Sequence, residues 1–233
     1  MRVLAVGAHP DDIEILCSGT LLRYKDQGHD VVIAIATNGN QGHVVIPPEE
    51  LGEVRRREAA SSAALCGAEF IWMDYPDEFI YHDHSTRMAF IEMVRQARPD
   101  VVITHNPEDY HMDHRIVSEL MFVSTFLATV PHVETSSPPA AKIPPVYYMD
   151  SLAGAQFVPT EYVDITDVME RKLEMLSQHE SQVKWLQEHD NVDILEFTRA
   201  MNRFRGLSSG TKYAEGYRHL DAWGRNPLVR LLP

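Results

Sequence analysis

Cysteine is scarce in this chain: two in 233 residues, Cys17 and Cys66. Neither sits in a Cys-x-x-Cys pair and both fall inside helical patterns. They therefore read as small apolar packing residues, not as a disulfide or a thiolate metal site. Long apolar runs are missing too, and no stretch approaches the ~18 residues of a membrane span. Basic residues are the minority, 21 Lys and Arg against 34 Asp and Glu, for a net charge of -13. That balance disfavours non-specific binding to nucleic acid or an anionic membrane. The first residues form an apolar run without the pattern of a signal peptide. The expectation is a soluble cytoplasmic protein with neither nucleic acid nor a membrane span among its partners. Internal repeats and low-complexity segments are also absent.

What is present is a regular alternation. Hydrophobic residues make up 44% of the chain, enough for the full core of one large domain over 1–233. Residues 2–6 read as a buried strand, and 13–27 as a helix with Gly28 at its end. Residues 30–36 form a second near-continuous apolar strand. A helix follows from Pro47-Pro48 to about Cys66, with acids in its first turn as the helix dipole favours. Residues 70–73 read as a strand, 86–98 as a helix stopped by Pro99, 100–104 as a strand and 115–127 as a helix. Strands that are apolar throughout, instead of alternating, favour a parallel sheet covered on both faces. The expected fold class is therefore α/β: a Rossmann-like three-layer αβα arrangement with a mostly parallel sheet. After the proline-rich break at 136–145 come strands at 146–149 and 162–165. A helix from Val168 to about His179 follows, with Glu170, Lys172 and Glu174 on a solvated face. Residues 181–205 also read as helical.

Chemistry concentrates at two strand ends. The first strand breaks at Gly7 into Ala8-His9-Pro10-Asp11-Asp12-Ile13-Glu14. The fourth runs into His105-Asn106-Pro107-Glu108-Asp109-Tyr110-His111-Met112-Asp113-His114. In a parallel sheet both lie on the carboxyl rim, where open α/β sheets keep their ligand sites. Adjacent carboxylates beside an imidazole repel one another unless a cation or a shared proton intervenes. A catalytic zinc site takes about three protein ligands and keeps a position for water; His9, Asp12 and His114 would supply them. Asp11 would stand beside that water, whose pKa zinc lowers to about 7, as a general base. His111 would polarise a carbonyl from the other side, oriented by Asp113.

The motifs His9-Pro10-Asp11-Asp12-x-Glu14 and His111-Met112-Asp113-His114 resemble those of the PIG-L/LmbE family of zinc-dependent N-deacetylases, among them enzymes of mycothiol and bacillithiol precursors. The resemblance extends over most of the chain, through Gly19-Thr20, 37–42, 55–58, Asp77, 163–166, His179 and Ser181-Gln182. It implies zinc held by His9, Asp12 and His114, Asp11 as base, and His111 as transition-state partner with Asp113 behind it. The implied substrate is an N-acetylated amino sugar or glycoside, with Arg55 or Arg56 contacting it. Many members carry Pro where this chain has Met112. Some carry a mobile Tyr two positions before the motif's first His; Asp109 occupies that place here, among the expected substrate contacts, with Tyr110 adjacent. Family habit and the apolar C-terminus point to a homo-oligomer.

Plainer readings compete. An Asp after a strand often just caps a helix, although a second His-rich strand end weakens that account. His82-Asp83-His84 fits a surface loop, and the Arg55–Arg57 run fits a solvated helix face. His179 reads equally as a structural hydrogen bonder or a rim contact. Trp72, Trp185 and Trp223 read as core or interface residues. A receiver-like magnesium-binding domain would use an acidic pair after the first strand and Asp74 as phosphoacceptor. It needs a Lys right after a later strand, and none directly follows the fourth. A non-catalytic sugar-binding relative would have no use for Asp11 and His111. GAHPDD in place of G-x-G-x-x-G argues against a dinucleotide site.

Overall fold

The computed structural model describes residues 1–233. Its first half is β1 Arg2–Gly7, α1 Asp12–Leu16, α2 Ser18–Asp26, β2 Asp30–Thr37, α3 Pro48–Cys66, β3 Glu69–Tyr75, α4 His84–Ala97, β4 Val101–Thr104 and α5 Met112–Leu127. It continues with β5 Val146–Met149, β6 Glu161–Asp164, α6 Met169–Ser177, α7 Glu180–His189, α8 Ile194–Ser209 and β7 Ala214–His219. One sheet runs in the order β3-β2-β1-β4-β5-β7-β6. β1 to β5 are parallel neighbours, and β7 is antiparallel to both β5 and β6.

The apolar strands divide their side chains between two cores, as a parallel sheet buried on both faces requires. Val3, Ala5, Val31, Ile33 and Ile35 join Leu16, Leu21, Tyr24 and Cys66 on one side. Leu4, Val6, Val32 and Ala34 join Phe90, Val94, Val117 and Leu120 on the other. Strand order reverses between β1 and β4, which opens a crevice outside their carboxyl ends. The loops after β1 and β4 meet there.

Three expectations need correction, and a fourth is refined. The single helix over 13–27 is two, α1 and α2, broken at Cys17. α5 starts at Met112 instead of 115, so Asp113 and His114 lie in its first turn. Residues 181–205 are helical as read, in two helices, α7 and α8. Lys172, expected on a solvated face, is fully buried.

The break in the helix and the buried lysine have one cause. β7, unread in the sequence, carries Glu215 beneath the start of α2. Its carboxylate accepts from Gly19 N at 2.8 Å and Thr20 N at 2.7 Å, two first-turn N–H groups that lack helical partners. Tyr217 donates to it at 2.9 Å. Lys172 Nζ neutralises it at 2.5 Å and also donates to Ile15 O, near the end of α1, at 2.9 Å. Gly19 is required by this close approach, because a Cβ there would lie 2.9 Å from Glu215 Oε1 and 2.8 Å from Ile165 Cγ2.

Candidate metal centre and active site

The turn after β1 bends sharply. Asp11 adopts φ 100°, ψ -23°, a left-handed conformation costly for a residue with a Cβ. The bend is tied down by His9 N donating to Asp12 Oδ2 at 2.7 Å. Arg55, from α3, reaches under it and donates to Pro10 O at 2.5 Å, Gly39 O at 3.1 Å and Asp11 Oδ2 at 3.1 Å. Gly39 leaves the room for that guanidinium, since a Cβ there would run into Arg55 Nη1. Across the crevice His111 caps α5, its Nδ1 accepting from Asp113 N at 3.3 Å. Asp109 Oδ1 accepts from His111 N at 3.0 Å.

These turns bring two imidazole nitrogens and both oxygens of one carboxylate together. His9 Nδ1 and His114 Nε2 are 3.3 Å apart. Asp12 presents Oδ2 to His9 Nδ1 at 3.4 Å and Oδ1 to His114 Nε2 at 3.3 Å. A tetrahedral zinc with bonds of about 2.0–2.1 Å has ligand–ligand edges of about 3.3–3.4 Å. The donor set and its spacing thus fit a small divalent cation. The outer nitrogens are braced by carboxylates, as ligating imidazoles usually are. His114 Nδ1 faces Asp109 Oδ1 at 3.2 Å. His9 Nε2 faces Asp77 Oδ1 at 3.1 Å and Asp113 Oδ2 at 3.3 Å.

The electrostatics follow from this packing. Burial works against charging His9, but Asp113, Asp12 and Asp77 outweigh it and hold its pKa well above the usual value. Burial likewise opposes the charge on His114, yet Asp12 and Asp109 raise it to about 9. Asp12 is buried, which would raise its pKa, but His114 and His105 hold it well below the usual range. The pocket draws positive charge, supplied by protons where no cation is bound. Asp11 differs. Burial raises it to about 6 against the pull of Arg55. His111 is lowered by burial and by the charges of His9 and His114.

A cavity of about 460 Å³ opens onto these groups, with His9, Asp11, Asp12, Arg55, His111 and His114 in its lining. Not every expected residue reaches it. Arg56 points to solvent, its side chain 46% exposed and paired with Glu53 at 3.0 Å. Asp109 does not face the cavity as a substrate contact would; it is buried behind His114. Asp113, expected behind His111, turns its carboxylate to His9 and to Glu78 N at 2.9 Å, and meets His111 through its backbone N–H. Asp83 caps α4 by accepting from Thr86 N, with His82 beside Arg87. His179 is fully buried against Glu14 at 3.3 Å, on the structural side of its two readings.

Three groups were not assigned a role from the sequence: His105, Asp77 and Glu78. His105 accepts from Ala8 N at 2.9 Å, stacks on His114 with ring centres 3.9 Å apart, and is lowered to about 4 by burial and by His114. Its place right after β4 was the available signal. Asp77 and Glu78 come from the loop after β3, the third strand end on the same rim. Glu78 Oε1 lies 3.3 Å from His111 Nε2. Arg56→Ala is expected to keep kcat/KM within about twofold, since an exposed ion pair contributes little. Arg55→Ala, which strips the charged hydrogen bond from Asp11, should lower it by roughly tenfold to a hundredfold. Steady-state kinetics on both variants checks the contrast.

Comparison with known proteins narrows the meaning of this rim. A diacetylchitobiose deacetylase of Thermococcus kodakarensis is 30% identical over 230 residues, covering 93% of this chain and 82% of that protein. The N,N'-diacetylchitobiose deacetylase of Pyrococcus horikoshii superposes with a TM-score of 0.81 at 27% identity, covering 94% of this chain and 83% of that one. A 4-carboxy-2-hydroxymuconate hydratase of Pseudomonas putida shares the fold, with a TM-score of 0.82 at 20% identity over 98% of this chain and all of that one. An α/β enzyme of the N-deacetylase class is what fold and relatives together define. The chain belongs to the PIG-L family, the GlcNAc-PI de-N-acetylases, whose family pattern matches residues 4–124. That membership removes the receiver-like alternative, and Asp74, its supposed phosphoacceptor, bonds Trp72 Nε1 and Asn38 Nδ2 on the exposed side of β3.

Proposed function

We propose that this chain is a zinc-dependent hydrolase that removes the acetyl group from an N-acetylglucosamine-type sugar or glycoside. The observation that carries this is the His9–Asp12–His114 triangle with the unligated Asp11 beside it in one cavity. A divalent ion held there would acidify a water and polarise the acetyl carbonyl. Asp11, partly fixed by Arg55, takes the proton of the attacking water. His111, whose Nδ1 is engaged by Asp113 N, offers Nε2–H to the carbonyl oxygen as negative charge develops. The proton on Asp11 then passes to the departing nitrogen, the C–N bond breaks, and acetate and the free amine remain. A purely sugar-binding role would leave Asp11 and His111 without work.

The protein is read as one domain over 1–233 that acts in the cytoplasm as a homo-oligomer. Buried free cysteines, fully exposed Trp223 and Leu228, and the lack of any helix long and apolar enough to cross a membrane support that setting. The test is elemental analysis paired with acetate release from N-acetylglucosamine derivatives. About one zinc per chain with acetate release is the expected result. His114→Ala should lose most of the ion and the activity together. A folded protein that neither carries nor takes up a divalent ion would overturn the proposal.

A further inference from the structure

The cavity has two ends of opposite chemistry. Imidazoles and carboxylates line one. The other is walled by Ile15, Leu152, Leu186, Val192, Ile194 and Phe197. Helical spacing builds this wall. Gln182 and Leu186 lie four apart on α7, and Ile194 and Phe197 three apart on α8, so each pair projects from one helix face. Val192 comes from the connection between the two helices. Ile15 and Ile194 belong to the main core and Leu152, Leu186 and Phe197 pack against it, so the wall is anchored. Gln182 is the only polar side chain that α7 and α8 give to the cavity, and its Oε1 is buried without a hydrogen-bond partner.

We infer that this wall is a subsite for an apolar group carried next to the acetamido sugar: an alkyl or aryl aglycone. The inference rests on the deacetylase reading of the polar end. A second sugar, as in diacetylchitobiose, would give up hydrogen bonds to water and meet one free acceptor, Gln182 Oε1. Hydroxyls turned toward the wall would find no further protein partner there, which is penalised. An apolar group gains by leaving water, by roughly fourfold in affinity per buried methylene. Gln182 Oε1 lies toward Gly42, at the border with the polar end, and is left to accept from a hydroxyl of the acetylated sugar.

The experiment compares methyl, butyl and hexyl N-acetylglucosaminides, below micelle formation, on the zinc-loaded enzyme. Acetate release should rise in kcat/KM by tens of fold from methyl to butyl, at roughly fourfold per methylene. In Leu186→Asn and Phe197→Asn the butyl-to-methyl ratio should collapse towards one. A flat series in the unaltered enzyme overturns the subsite, as does a ratio that both folded variants preserve. Binding of the same glycosides by calorimetry separates the two readings. If no glycoside releases acetate, the deacetylase reading fails. Affinity that still climbs with chain length then supports the wall, and affinity that stays flat overturns it.

Discussion

Asp11→Asn is expected to lower kcat by about a thousandfold while the protein stays folded and keeps its bound ion, the scale of a lost general base. The substitution is nearly isosteric, and the amide oxygen can still accept from Arg55, so the tight bend at residue 11 is preserved. On the proposed mechanism, what disappears is the group that takes the proton. The pH dependence gives an independent reading. Burial raises Asp11 to about 6. A base works only when ionised, so kcat/KM should climb with pH and level off above about 6, at a lower pH where a bound cation pulls the carboxylate down. Below that point Asp11 is protonated and activity falls. Full turnover in Asp11→Asn, or an acid limb that survives unchanged in it, would assign the base elsewhere.

Glu215→Ala should cost about 3–5 kcal/mol of unfolding free energy, the range for breaking a buried ion pair by removing one partner. The loss has two parts. Lys172 is left charged with Ile15 O as its remaining partner. Gly19 and Thr20 lose the acceptor for their N–H groups at the start of α2. Replacing both charged residues together, as Lys172→Met with Glu215→Gln, should cost less than Glu215→Ala alone, because no unpaired charge remains inside. Urea unfolding monitored by circular dichroism measures each step. A loss below about 1 kcal/mol would match an exposed pair and contradict the burial.

The same pair shows where the sequence was legible and where it was not. β1, β2 and β4 could be read because both faces of each are covered, which makes the run apolar from end to end. The rim cluster could be read because β1 and β4 are parallel neighbours, and the turns that leave them carry ligand-type residues. β7 escaped because its sequence, AEGYRH, puts a carboxylate and a glycine in an interior strand. Glu215 is tolerated there only through partners 195 and 196 positions away in α2 and 43 away in α6. No local pattern carries that information, and for the same reason Lys172 looked like a surface residue. At the site, chemical type was readable but orientation was not. Asp109, Asp113 and Arg56 have the residue types expected near a substrate, yet their placement depends on which way each turn faces after β4 and α3.

The position of β7 matters for how the protein is made. Synthesised last among the strands, it is inserted between β5 and β6, so a nascent chain on the ribosome holds an unfinished sheet. Until residues 214–219 emerge, the Val146–Met149 edge of β5 has no partner on that side. Such an apolar, unpaired edge is a template for wrong pairing with other chains. The cavity-lining residues are all translated by position 197. A product truncated just short of β7 would therefore contain every residue of the proposed site and still lack the strand that closes the sheet. Cellular quality control would meet it as an aggregation-prone fragment and not as a shortened enzyme.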